Sequence, residues 1–322
     1  MKNMLKKLLS SVCLTILLTP LVGCDHKDIG IGVDDLLEGR IKVVYDWRYC
    51  PDANPSSMEL CLYPKDGSEH LSFNLVGREG SYVSLEPDTY DIISMNNDDL
   101  DWAVYRNTDN KDDFKVETHD ASESSDYNLL VNYLRSTRAN DTNRLASTPG
   151  MSWSTRKDSV TVIKSDQDQV ITLYPKEIVC HYSVEVRNVE NIELARGITI
   201  NGTISGLADG YHHGARISSD TPVTMPFTFS VDTENKELHS QFLTFGECNT
   251  VKSFHNLKVY LFLADGTTFE KAFDVDKQIS EAPDPTHVNI IVSGLTIPRH
   301  GGQGGINPDV NDWNSDIIDI EM

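Results

Sequence analysis

Ile41-Lys42-Val43-Val44-Tyr45-Asp46-Trp47-Arg48, followed by Met58-Glu59-Leu60-Cys61-Leu62-Tyr63, decides the fold. Ile41, Val43, Tyr45 and Trp47 take every second position in the first stretch, and Met58, Leu60 and Leu62 do so in the second. Successive side chains of a strand point to opposite faces, so a period of two marks a half-buried β-strand. The pattern continues outward. Lys65-Asp66-Gly67 reads as a turn before Leu71, Phe73 and Leu75. Val83 and Leu85 lead into Glu86-Pro87-Asp88, a second turn, and then into Tyr90-Asp91-Ile92-Ile93. Shorter strands are expected at 103–106 and 114–118, which makes seven at the spacing of a sandwich, without long helical periodicity.

Residues 119–158 read differently, being rich in Ser, Thr, Asn, Asp and Arg with one apolar island at 127–134. A short helix is expected at the island and a domain boundary near Thr148-Pro149-Gly150. A second strand set follows at 170–174, 180–186, 198–202, 227–231, 242–245, 257–263, 268–275 and 288–292. Ala264-Asp265-Gly266 supplies a hairpin turn between two of these, and 188–195 reads as one short helix. The sequence therefore predicts an all-β chain of two tandem sandwiches, 39–150 and 151–300, each large enough for its own core.

The chain starts with Lys2, Lys6 and Lys7, an apolar run from Leu8 to Leu18, and then Leu21-Val22-Gly23-Cys24. This order predicts a bacterial lipoprotein signal over 1–23, with Cys24 acylated and 24–38 a solvated tether. The apolar run is shorter than the ~20 residues a membrane span needs. Acyl chains contribute roughly 0.8 kcal/mol per buried methylene, so two or three chains hold stably. The expected address is the outer membrane, lipid-anchored, at the cell surface.

The signal holds three of the 28 basic residues and none of the 49 acidic ones, so the mature chain carries 25 against 49, a net charge of −24. Such a surface repels nucleic acid and anionic headgroups and suits solubility. Beyond Cys13 and Cys24 there remain Cys50, Cys61, Cys180 and Cys248. Their even number in an exported chain permits disulfides. Cys50 and Cys61 flank a loop and are close enough in sequence to pair, while the mid-strand place of Cys61 fits a buried free thiol equally well.

The search for chemistry is negative. No nucleophile elbow, phosphate-cradling glycine loop or His-Glu-x-x-His motif occurs, and Ser205 in Ile204-Ser205-Gly206 reads as a strand end. His212-His213 is the best metal-like pair, but adjacent strand residues point apart. The acidic loops Asn96-Asn97-Asp98-Asp99 with Asp101, and Asp109-Asn110-Lys111-Asp112-Asp113, lack the calcium-loop spacing and read as turns. Trp47, Trp102, Trp153 and Trp313 are scattered, which favours core packing over a ligand platform. No catalytic residue, metal or cofactor is expected.

Gly301-Gly302-Gln303-Gly304-Gly305 reads as a hinge. Behind it, Val310, Trp313, Ile317, Ile318 and Ile320 stand among acids in a C-terminal strand, 301–322 with its hinge. Such a strand either completes its own sheet or is donated to a neighbour's sheet edge by β-strand addition.

Several stretches carry a resemblance: Tyr45-Asp46-Trp47-Arg48, Asn54-Pro55 to Met58, Leu62-Tyr63-Pro64-Lys65-Asp66-Gly67, and Tyr90-Asp91-Ile92-Ile93-Ser94-Met95-Asn96-Asn97-Asp98. With Cys24-Asp25-His26-Lys27-Asp28, Phe242-Leu243-Thr244-Phe245-Gly246 and Val310-Asn311-Asp312-Trp313, they resemble the Bacteroidales fimbrillin superfamily, in particular its FimB-like fimbrial anchor lipoproteins. The resemblance implies two transthyretin-like sandwiches in tandem, an outer-membrane anchor and a structural role in type V-like fimbriae. It implies fimbrial subunits as partners, joined when one chain's strand fills another's groove. For stalk subunits the groove opens after cleavage behind an arginine. Arg40 and Arg48 flank the first strand here, and a cut at either would part Cys24 from the body, against the needs of an anchor. The expected function is thus an adhesive surface lipoprotein, an anchor or accessory subunit. A surface glycan-binding lipoprotein of a nutrient uptake system is the alternative, marked by several aromatics on one exposed face.

Overall fold

The computed structural model describes residues 39–98, 101–137, 144–165 and 167–299. Cys24, the signal, the tether, and Val310, Trp313, Ile317, Ile318 and Ile320 lie outside these residues.

The earlier strands are β1 (Gly39–Tyr45), β2 (Ser57–Pro64), β3 (Leu71–Val76), β4 (Tyr82–Leu85), β5 (Thr89–Asn96), β6 (Ala103–Arg106), β7 (Lys115–Thr118), β8 (Trp153–Thr161), β9 (Gln169–Leu173) and β10 (Lys176–Glu177). The later ones are β11 (Cys180–Arg187), β12 (Thr199–Ala208), β13 (Gly210–His212), β14 (Ile217–Ser218), β15 (Pro222–Thr228), β16 (Ser230–Asp232), β17 (Glu237–Thr244), β18 (Asn256–Phe262), β19 (Thr268–Asp274) and β20 (His287–Ser293). Helix α1 (Asn128–Thr137) forms at the apolar island, and α2 (Asp276–Ser280) is a single short turn. The segment expected to be helical at 188–195 narrows to a 3-10 turn over Ile192–Ala195. The chain is all-β, as the alternation predicts.

Two sheets, ordered β4-β1-β9 and β10-β8-β5-β2-β3, close over one core. Ile41, Val43 and Tyr45 face Met58, Leu60, Leu62 and Ile92 there, with Val83, Leu85, Ile171 and Leu173 beside them. Burial of the apolar positions read from the two opening stretches drives this packing, at roughly 1.5–3 kcal/mol per large side chain. The Tyr45 hydroxyl crosses the core to Ser94 Oγ at 2.7 Å, and Ser94 donates to Glu59 O at 2.7 Å, so the buried polar groups are satisfied. A second pair of sheets, β16-β17-β11-β20 and β15-β12-β18-β19, closes over Tyr182, Val184, Val186, Ile204, Met225, Phe227, Val259 and Ile290.

The first core reaches past Thr148-Pro149-Gly150, where the sequence puts the boundary. β8 pairs with β5, and β9 runs parallel to β1, with Ile41 opposite Gln169 and Tyr45 opposite Leu173. Gly150 is explained by packing: a Cβ there would lie 2.5 Å from Trp102 Nε1.

A further sheet, β14-β13-β7-β6, contains strands from both parts of the chain. Gly210, Tyr211 and His212 of β13 pair with Glu117, Val116 and Lys115 of β7. The approach is so close that a Cβ at Gly210 would stand 2.0 Å from Val116 O. The β6-β7 hairpin covers the outer face of the large first sheet through Phe114 and Tyr105, against Cys61, Tyr63, Ile93 and Met95. That is why β5 is buried on both faces.

Candidate functional site

Strand β1 lies between antiparallel β4 and parallel β9. Its three inward side chains contribute roughly 5–8 kcal/mol of burial, a large share of the ~5–15 kcal/mol typical of a whole domain. Arg40 is registered opposite Ser84 inside the strand, so its peptide bond is zipped into the sheet. Arg48 stands in an exposed turn and clamps Asp46, donating through Nε at 3.0 Å. Of the two arginines, only Arg48 therefore offers a backbone that a protease reaches without unzipping β1. A cut there leaves β1 held by its core contacts.

Partner strands attach at sheet edges, and most edges here are guarded. β19 carries Glu270, Lys271 and Asp274, and β16 is three residues long. On β9, Lys157 Nζ donates to Thr172 O at 3.3 Å. On β20, the Gln278 amide imitates a neighbouring strand: it donates to Ile291 O at 3.1 Å and accepts from Ile291 N at 2.8 Å. Residues 144–146 run beside Thr224 on β15. Charge, brevity and side-chain cover are the usual protections of an edge. Strand β3, Leu71-Ser72-Phe73-Asn74-Leu75-Val76, has none of these among the described residues. It ends the large sheet, carries no charge or proline, and spans about 20 Å at ~3.3 Å per residue. Val76 is 81% exposed on it.

The junction between the two cores is polar and buried. Asp209 takes Lys115 Nζ at 2.9 Å, lies 3.6 Å from Arg144 Nη2, and accepts from Ser219 Oγ. Lys115 also meets Glu117 at 3.0 Å. Arg144 Nη1 donates to Thr118 O at 2.6 Å.

The sequence-derived candidates fall out as follows. His213 is fully buried in this junction, with Nδ1 at 2.9 Å from Ser154 Oγ and its ring 4.9 Å from that of Phe114. Burial pushes its pKa down to about 3. His212 belongs to β13, and burial and nearby Lys115 lower its pKa as well. Among the described residues, no group of three or more His, Cys, Asp or Glu side chains is placed to hold a metal ion. In the acidic loops, Asp98 accepts from Ser56 N at 2.8 Å, which ties two separate loops together, and Asn110 accepts from Asp112 N at 3.1 Å, a local turn bond. Lys111 turns inward and, with Lys65, reaches Asp91 at 2.6 and 2.7 Å. Burial opposes ionisation of Asp91, but the two ammonium groups outweigh it and hold the carboxyl below the usual range.

Ser205 is not a strand end: it lies inside β12, at the bulge where the pairing with β15 shifts between Ser205 and Leu207, and its Oγ donates to Phe254 O at 3.4 Å. Trp47 packs edge-on to Trp153 at 6.1 Å, and Trp102 packs near Phe245. Trp313 lies outside the described residues. Cys50, Cys61, Cys180 and Cys248 are free thiols. Cys50 and Cys61 do not pair because they belong to different clusters: Cys50 packs at the rim of the first core and Cys61 on the opposite face of β2. Sequence reading missed the Asp209–Lys115 pair, since neither residue stands in a motif.

Fold and edges define an all-β protein with a built-in junction and, among the described residues, an uncovered edge at β3. The chain belongs to the family described as Domain of unknown function (DUF5119), whose model matches residues 23–228. Its fold is similar to that of a candidate adhesin from Bacteroides ovatus, with a TM-score of 0.60 and 18% identity over 87% of this chain and 99% of the other. The fimbrial anchor protein Mfa2 from Porphyromonas gingivalis also matches, at a TM-score of 0.48 and 15% identity over 79% of this chain and 90% of the other. No curated protein sequence matches. No described helix is long and apolar enough to cross a membrane.

Proposed function

We propose that this chain is an adhesive surface protein of a fimbrial assembly, an anchor or accessory subunit that joins its partner by β-strand addition. The observation that carries this reading is the β3 edge, unguarded among the described residues, where the long edges of β9, β19 and β20 are covered or charged. A partner strand laid along β3 gains a row of backbone hydrogen bonds, and the exposed Leu71 and Val76 add apolar contact. The shared fold with a candidate adhesin supports the same direction. The C-terminal residues Val310, Trp313, Ile317, Ile318 and Ile320 serve as the strand offered to a second subunit.

Paired lysines on an edge strand block addition without disturbing the sheet. The Asn74→Lys/Val76→Lys variant is therefore expected to lose at least about tenfold of its co-purification with fimbrial subunits while melting as the parent does. Undiminished co-purification would sink the edge assignment.

The lipid on Cys24 fixes the other end in the outer membrane. Cys24→Ala is expected to move the protein from the membrane fraction to the soluble one, and fimbriae from cells to medium. Unchanged fractionation would remove the anchor from this reading.

A further inference from the structure

The alternation that turns Ile41, Val43 and Tyr45 into the core turns Arg40, Lys42 and Val44 outward. Lys42 lies between Tyr82 of β4 and Val170 of β9, and Arg40 lies beside Ser84. Tyr82 is 45% exposed and Val170 63%. Arg40 Cζ sits 4.3 Å from the Tyr82 ring centre, and Lys42 Nζ 5.8 Å. Where the strand ends, Arg48 lies over Tyr174 at 4.9 Å, and Lys176 over the exposed Tyr49 at 4.7 Å. Arg78 lies 5.5 Å from the Trp47 ring. Among the described residues, the cation–ring contacts fall on this sheet, on the loops at its end, and on Lys176 of the neighbouring β10.

We propose that this face binds oligosaccharides bearing uronic-acid carboxylates, a ligand class that deepens the adhesive reading and rests on it. Charge complementarity carries the choice. Asp46 neutralises Arg48, Asp168 lies 3.5 Å from Arg40 Nε, and Glu79 lies 3.9 Å from Arg78 Nε. Lys42 and Lys176 have no carboxylate partner among the described residues. The face is therefore cationic on a mature chain of net charge −24, from 25 basic and 49 acidic residues.

A guanidinium or ammonium pairs with a carboxylate through charge-assisted hydrogen bonds, and the apolar side of a sugar ring packs on a tyrosine face. Fields from beyond the ~8 Å Debye length are screened at physiological salt, so a carboxylate lying on this face feels mainly the local cationic patch rather than the acidic remainder of the molecule. Tyr49, Tyr82 and Val170 on it are exposed, which suits an extended chain of sugars rather than a small enclosed ligand.

Oligogalacturonate and its fully methyl-esterified form are the probes, titrated calorimetrically into the full chain. The acid form is expected to bind, and the ester about tenfold or more weakly, since esterification removes the charge and adds only a methyl group. Lys42→Glu and Tyr82→Ala are each expected to weaken the acid form by about tenfold at unchanged Tm. Should Lys42→Glu not fold, Lys176→Glu on the exposed rim makes the same test. Equal binding of acid and ester, no binding of either, or unchanged affinity in the charge-reversed variant overturns the proposal. The adhesive reading is read separately, through co-purification along β3, and can stand or fall without it.

Discussion

Asp209→Ala is expected to destabilise the protein by about 3–5 kcal/mol, because removing one partner of a buried ion pair leaves the other charge uncompensated. Asp209 and Lys115 are both buried, and their contact is 2.9 Å. The alanine variant leaves Lys115 with Glu117 alone, 3.0 Å away on the more open side, so the loss falls toward the lower end of that range. It also frees Ser219 Oγ and the near side of Arg144. Asp209→Asn keeps a hydrogen-bond acceptor without the charge and should cost less than the alanine. Because these groups tie the β7–β13 pairing together, denaturant unfolding of Asp209→Ala is also expected to separate into two transitions, one per core. A loss below about 1 kcal/mol with a single transition would show that the network is not what joins the cores.

Acidification is expected to weaken the same junction through His213. Its pKa is about 3 when folded, against an ordinary value of 6.5. Between these values the unfolded chain binds a proton that the folded chain refuses. Stability is therefore complete above the unfolded value and is lost as pH falls below it, by up to about 1.4 kcal/mol per pH unit. From pH 7 to pH 5 this histidine alone removes about 2 kcal/mol. The ring has no acceptor for a second proton: Nδ1 is occupied by Ser154, and Nε2 faces no partner among the described residues. Phe114, Tyr105 and Tyr211 rings surround it. His213→Phe should make the curve of Tm against pH flatter than the parent's over this interval. Parallel curves would assign the acid sensitivity to other groups.

The strands were legible because alternation is a local property. Ile41, Val43 and Tyr45, the Met58–Leu62 positions and the 103–106 strand all appear where the period of two predicts them. Which strand neighbours which was not legible. The parallel pairing of β1 with β9 joins residues far apart in sequence, and nothing in either segment specifies the other. For the same reason Thr148-Pro149-Gly150 reads as a boundary although the first core continues to Leu173. β17 begins at Glu237, ahead of the expected 242, since Leu238 and Ser240 are buried between polar neighbours and give a weak signal. His212-His213 attracted attention as a metal-like pair, yet the fold uses His213 as a buried ring. The cationic face escaped notice because its aromatics, Tyr49, Tyr82 and Tyr174, come from three separate loops or edges and converge only once the sheet forms.

The parallel β1–β9 pairing also sets an order of events during synthesis. β1 emerges early but cannot gain its second neighbour until some 128 residues more have followed, from Ile41 to Gln169. Until then β4 covers one side only, and Ile41, Val43 and Tyr45 have no complete core to enter. Such non-local closure slows folding and prolongs exposure of apolar surface and unpaired strand. The newborn N-terminal segment is thus a natural client for a holding chaperone, and the arrival of β9 is the step that ends that dependence.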